Sequence, residues 1–172
     1  MPMLFFYIAM GVEQVLLKEK PAKLLEISMS GSRYGRLASD CQARARTVKP
    51  RIDRIDLSEE LKGPSKPYDN ILPLETLDHP ETLEVYDIIL TADLLERLDG
   101  DTARQLVERL CEKVAKLLLV IAPHGAPSEE IFKSAGVDFH CHTLDAVPEK
   151  ARVISVFPKR AQNSKNKGGG VK

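Results

Sequence analysis

The chain has 172 residues, 43% of them hydrophobic, and its 25 basic and 25 acidic side chains cancel to a formal net charge of zero. This length and composition predict one soluble globular domain with a sizeable core, and the balanced charge argues against a surface dedicated to nucleic acid or to anionic membrane. Cys41, Cys111 and Cys141 are widely spaced and form no CxxC pair, which predicts reduced thiols in a cytoplasmic protein rather than a disulfide framework or a zinc site.

The opening stretch 1–10, MPMLFFYIAM, is apolar but too short to span a bilayer, and it lacks the basic flank of a signal peptide. Continued by Val12, Val15, Leu16 and Leu17, it predicts a helix over 1–20 that packs on a sheet or on a second copy of the chain in a homodimer. After the breaker Pro21, KLLEI at 23–27 reads as a buried strand, followed by a turn rich in small residues. A helix is predicted over 34–46, with Leu37, Ala38, Cys41 and Ala45 at helical spacing. RIDRIDL at 51–57 alternates as an outer strand does and closes on Asp56. A loop with glycine and prolines covers 62–67, and 71–75 reads as a short strand that Pro73 assigns to a sheet edge.

VYDIILTADLLERL, at 85–98, is the most informative segment: an apolar run ending in Thr91, Ala92 and Asp93 with a helix-like pattern beyond it. Such a run reads as a strand buried on both faces, hence part of a parallel sheet, and ligands of such sheets lie at the carboxyl ends of the strands. Next, Thr102 and Gln105 fit a capping box, and Leu106, Val107, Leu110, Cys111, Val114 and Ala115 form one apolar helix face. LLLVIA at 117–122 is a further buried strand, and 137–141 and 153–157 supply two last strands joined by a loop holding Pro148. From residue 159 the chain is basic and glycine-rich, which predicts a disordered, solvated tail over 159–172 rather than a nucleic-acid-binding arm. Strands alternating with helical segments predict an α/β domain over 1–158. Its mostly parallel sheet has seven strands or slightly fewer, with helices on both faces and an antiparallel hairpin at one edge.

The segment LEISMSGSRYGR, a strand, a turn of small residues and a helix, is where a Rossmann-like sheet cradles a nucleotide-type ligand, because such a turn lets backbone N–H groups approach it. Asp56 closes the next strand, where a carboxylate can accept from both hydroxyls of a ribose. With YDIILTADLLERL, these stretches resemble the class I S-adenosylmethionine-dependent methyltransferases of the compact bacterial type, in which they run like LEIGCGSGRYGRL and YDLIIASDVLEHL. The resemblance covers roughly 24–158. It implies a Rossmann-like methyltransferase fold, S-adenosylmethionine as cofactor and methyl transfer to a small acceptor.

Residue by residue, the resemblance sets Glu26 at the acid that opens the first motif and Ser28, Ser30 and Ser32 at its three glycines, with Gly31 between the last two. It sets Asp56 at the acid for the ribose hydroxyls and Glu75 at the acid after the third strand, with Thr76 and Leu77 where adenine is contacted. Asp93 and Glu96 match the two acids of the fourth-strand motif, and Arg97 replaces its usual histidine. Asp93 is the candidate general base, with helix capping as its competing role.

Serine at a glycine of such a turn costs about 1 kcal/mol of strain where a positive φ is required. On that ground, restoring glycine at Ser28 and Ser30 is expected to strengthen cofactor binding. The substitution also leaves open a non-catalytic, methyltransferase-like binding or scaffold protein, and a Rossmann-type binder of another adenosine ligand. No NPPY-like tetrapeptide and no catalytic cysteine motif identifies an acceptor. His140 and His142 share a strand face with no third ligand spaced to join them, so no metal site is predicted. His124, in the loop after the 117–122 strand, and Arg33 and Arg36, beside the first turn, read by default as solvated side chains, with facing a substrate the competing role for His124 and meeting an anionic group that for the two arginines.

Overall fold

The computed structural model describes residues 2–29, 34–44, 50–58, 66–122, 129–143 and 152–158, without the side chains of 2–9, 41–44 and 142–143. In chain order the elements are α1 (Pro2–Glu19), β1 (Lys23–Ser28), α2 (Tyr34–Arg44), β2 (Arg51–Asp56), β3 (Asn70–Leu72), β4 (Tyr86–Ala92), α3 (Gly100–Glu112), β5 (Val114–Ala122), α4 (Glu129–Ser134), β6 (Asp138–Thr143) and β7 (Arg152–Phe157). The predicted tail, 159–172, and the loop holding Pro148 lie outside the described residues.

The strands form one seven-stranded sheet in the order β3-β2-β1-β4-β5-β7-β6. Pairing is parallel from β3 through β5, and β7 runs antiparallel to both β5 and β6. Successive strand residues point to opposite faces, so each central strand feeds two cores. On one face Leu25, Ile27, Ile89, Leu118 and Val120 pack with Leu106, Val107 and Leu110 of α3 and Phe132 of α4. On the other, Leu24, Ile52, Ile88, Leu119 and Ile121 pack with Val12 and Leu16 of α1 and Tyr34 and Ala38 of α2. The predicted sheet, hairpin and two helical faces are therefore present, and α1 lies against α2 and β7 of its own chain. Among the described residues no helix is long and apolar enough to cross a membrane.

Several boundaries differ from the sequence expectation. β2 is not an outer strand but pairs with β1 and β3. Its charges are buried because partners meet them: Asp53 accepts from Tyr86 Oη and Asn70 Nδ2, both at 2.8 Å, and Arg51 Nη2 lies 2.8 Å from it. β3 is the edge strand but ends at Leu72, and Glu75 falls instead in a 3-10 turn, Leu74–Leu77, that Pro73 precedes. α3 is capped by Asp99, whose carboxylate accepts from the amides of Asp101 and Thr102, so Thr102 is inside the helix and the Thr102–Gln105 box does not form. Val114 and Ala115 belong to β5 rather than to α3, because Val114 pairs with Tyr86.

Candidate functional site at the carboxyl ends of β1, β2 and β4

The chain leaves β1 toward β2 on one side and returns to β4 on the other. The crevice between β1 and β4 is thus the topological switch point at which α/β sheets bind ligands. Register sets its rim level: Ser28 pairs with Asp56, and Ile27 with Thr91.

The parallel register also aligns Glu26 with Arg54, and alternation puts Glu26, Ser28, Arg54 and Asp56 on the face covered by α2. All four are buried. Glu26 Oε1 accepts from Ser28 Oγ at 2.6 Å, and Oε2 accepts from the Gly35 amide at 2.6 Å and from Tyr68 Oη at 3.0 Å. Arg54 Nη1 donates to Tyr68 Oη at 2.6 Å and lies 3.6 Å from Glu26 Oε1. Its Nη2 reaches the Met29 carbonyl at 2.5 Å and Asp56 Oδ1 at 3.4 Å. Ser58 Oγ also donates to Asp56 Oδ1, at 3.0 Å.

Ser28 therefore occupies a motif glycine position without the expected strain. It lies within β1 with no positive φ, and its hydroxyl turns inward onto Glu26. Relief of backbone strain is therefore no ground for a gain in affinity on restoring glycine at Ser28. Ser30, Gly31, Ser32 and Arg33 lie outside the described residues, as does His124.

Tyr34 opens α2 beside this network. Burial first, then the charges of Asp93 and Glu26, holds its phenol well above its usual range, so it stays protonated. Across the crevice Asp93 follows β4 in the left-handed region, φ 58°, which aspartate tolerates better than most residues. The neighbouring 3-10 turn, Leu95–Arg97, carries Glu96. Both Glu96 carboxylate oxygens are shielded from solvent and have no hydrogen-bond partner among the described residues. Burial, reinforced by Asp93, pushes the Glu96 carboxyl up to about 7. Thr91 Oγ1, at the same strand end, is also buried, with no hydrogen-bond partner among the described residues.

Glu75 and Thr76 lie beyond the end of β3, with Glu75 exposed and Thr76 half-buried, and Arg97 is exposed. Leu77 lines a cavity of about 370 Å³ with Leu74, Leu94, Leu98 and Leu106, on the α3 side of the turn that bears Asp93 and Glu96. Among the described residues no group of three or more potential metal ligands occurs, and His140 packs edge-on against Phe157.

Sequence reading missed three residues of the site: Arg54, Tyr68 and Gly35. For Arg54 the signal was available, since alternation in RIDRID puts residues 54 and 56 on one face at the carboxyl end. Gly35 carries no turn signal. An added Cβ there would lie 2.5 Å from Tyr68 Cε1 and 2.8 Å from Glu26 Oε2, so its role emerges only from packing.

No protein-family model and no curated protein matches the sequence. Solved structures do resemble it. The methyltransferase domain of a bacterial Hen1 superposes with a TM-score of 0.63 at 12% identity, covering 90% of this chain and 99% of that one. An O-methyltransferase family protein from Burkholderia thailandensis gives 0.60 at 11% identity over 90% of this chain, which spans 56% of that protein's length. The magnesium protoporphyrin IX methyltransferase of Synechocystis PCC 6803, solved with bound S-adenosylmethionine, gives 0.57 at 15% identity over 87% of this chain and 79% of that one. At such identities the likeness establishes the fold: this chain has the Rossmann-like fold of the class I S-adenosylmethionine-dependent methyltransferases.

Proposed function

We propose that the protein binds S-adenosylmethionine in the crevice between β1 and β4 and transfers its methyl group to a small acceptor. The observation that carries this reading is the convergence of acids at three adjacent strand ends: Glu26 and Asp56 on β1 and β2, with Asp93 and Glu96 after β4. The residues suit a cation with a ribose, since carboxylates attract sulfonium and ammonium and accept from hydroxyls. Thr91 Oγ1 and the Glu96 carboxylate are polar atoms that lack protein partners among the described residues. When bound, the cofactor supplies an activated methyl group, whose bond to sulfur breaks as the acceptor's lone pair forms the new one.

In this reading Asp56 accepts from the ribose hydroxyls, and Thr76 and Leu77 flank the adenine. Glu26, already taken by Gly35, Ser28 and Tyr68, acts indirectly by holding the start of α2 against β1. Asp93 orients the acceptor, and Glu96, with its carboxyl raised to about 7, takes the acceptor's proton near neutral pH. The resemblance implies cofactor contact for Ser30, Gly31 and Ser32. Serine at 30 and 32, where the resemblance implies glycine, favours a second reading, a non-catalytic binding or scaffold protein.

Calorimetric titration with S-adenosylmethionine and S-adenosylhomocysteine tests the proposal. Binding should be measurable, and Asp56→Ala should weaken it by about 10- to 100-fold, the worth of charged hydrogen bonds to hydroxyls. Absence of binding at millimolar ligand overturns the cofactor reading and leaves the non-catalytic one.

A further inference from the structure

Among the described residues Arg54 is the only cationic side chain in the buried set, with 1% of its surface exposed. Removing a guanidinium from water is tolerated only where its donors find acceptors and its charge finds partners. Arg54 Nε is buried with no hydrogen-bond partner among the described residues, and the partners of the two terminal nitrogens divide into two groups. Nη1 faces the interior, toward Tyr68 Oη and Glu26, and the guanidinium carbon lies 5.0 Å from the Tyr68 ring centroid. Nη2 faces the crevice, where it approaches the carbonyls of Met29 at 2.5 Å and Ser28 at 3.5 Å and the Asp56 carboxylate at 3.4 Å. Ser28 and Met29 are the residues at which β1 leaves the sheet and the first turn begins. The Nη2 contacts all fall on groups at the ends of β1 and β2, at the mouth of the site.

We propose that Arg54 is a positioning residue. It ties the exit of β1 at Ser28 and Met29 to the Asp56 carboxylate, so that this strand end and the ribose acid present one preformed surface to the adenosine part of a ligand. The inference rests on the cofactor reading above and adds to it the group that sets the geometry between two of its parts. A planar fork is needed, because Nη1 must hold Tyr68 and Glu26 while Nη2 reaches the Ser28 and Met29 carbonyls and the Asp56 carboxylate. A lysine ammonium offers a point charge on a flexible stem and cannot hold both at fixed spacing.

The test compares wild type with Arg54→Lys and Tyr68→Phe. Each is titrated calorimetrically with S-adenosylhomocysteine and with its analogue lacking both ribose hydroxyls. Arg54→Lys should weaken S-adenosylhomocysteine binding about tenfold, the worth of one charge-assisted hydrogen bond. Removing the ribose hydroxyls should then cost markedly less in this variant than in wild type, because the two changes act through the same carboxylate. Tyr68→Phe keeps the Nη2 contacts and should retain the wild-type cost of removing the hydroxyls.

Additive losses in Arg54→Lys would show that Arg54 does not act through Asp56 and would overturn the proposal. Amide hydrogen exchange without ligand provides an independent reading. Exchange over residues 28–35 should quicken in Arg54→Lys while the β5 amides keep their protection, and unchanged exchange there overturns the brace. If wild type binds neither ligand, the cofactor reading and the ribose half of this inference both fall, and exchange still decides the brace. Should Arg54→Lys not fold, Arg54→Gln, planar and uncharged, is measured in the same way.

Discussion

Glu96 has both carboxylate oxygens withdrawn from water, and burial, seconded by Asp93, raises its carboxyl from the ordinary 4.5 to about 7. The folded state therefore holds this proton more tightly than the unfolded chain does. Its contribution to stability is fully present below about 4.5 and is lost as pH rises through about 7. Glu96→Gln keeps the shape and carries no titrating proton, so its urea midpoint should fall less than that of wild type between those two values. Parallel midpoints across that window would mean that Glu96 is not the source of the dependence. Under the proposed function, the same group would give methyl transfer a rising limb with pH near neutrality, since only the ionised carboxylate accepts a proton. The family pattern placed Glu96 in the sequence. Its environment could not be read there, because it depends on how the turn Leu95–Arg97 folds over the end of β4.

At the start of α2 the Gly35 amide donates to Glu26 Oε2 of β1 at 2.6 Å, with Tyr68 closing over it. An added methyl at Gly35 would meet Tyr68 Cε1 at 2.5 Å and Glu26 Oε2 at 2.8 Å, both in a buried network that has little room to yield. Gly35→Ala should destabilise the protein by roughly 1–3 kcal/mol, the usual cost of overpacking, as measured by urea denaturation. An unchanged midpoint would show that α2 can shift without breaking its contact with Glu26. At this scale the sequence was legible where hydrophobic runs are long. β1, β4 and β5 were found within a few residues, because strands buried on both faces read as unbroken aliphatic runs. Where two elements abut, the signal blurred. The helical spacing of α3 runs on into Val114 and Ala115, and only the pairing of Tyr86 with Val114 ends the helix at Glu112. In LDGDTARQ both Asp99 and Thr102 are acceptable caps. Asp99 prevails because its carboxylate reaches the amides of both Asp101 and Thr102 and also takes the Thr102 hydroxyl, at 2.7 Å.

Across the whole molecule, the alternation of strands and helices made a mostly parallel sheet legible, together with a hairpin at one edge. The strand order was not, because nothing local to β7 says that it inserts between β5 and β6. Nor does sequence reveal that the link from β3 to β4 consists of two short 3-10 turns, Leu74–Leu77 and Pro80–Thr82, rather than a long helix. This leaves cover unevenly distributed. β1, β4 and β5 are paired on both edges and packed on both faces, whereas β3 is three residues long and pairs, among the described residues, with β2 alone, and the other edge strand, β6, is packed mainly through β7 and α4. Opening β1 or β4 breaks both cores at once, so their amides should exchange only through global unfolding, at the roughly 5–15 kcal/mol typical of a whole domain. Amides of β3 and β6 should exchange through local opening at markedly lower free energy. Native-state hydrogen exchange in increasing sub-denaturing urea checks this. The Leu25, Ile27, Ile89 and Leu119 amides should merge onto one steep, denaturant-dependent isotherm, while those of Ile71 and Phe139 remain flat until close to the transition. If the β1 amides exchanged as readily as those of β3, the site would stand on an element that opens locally. The preformed crevice at the switch point would then have to be assembled by its ligand instead of by the sheet.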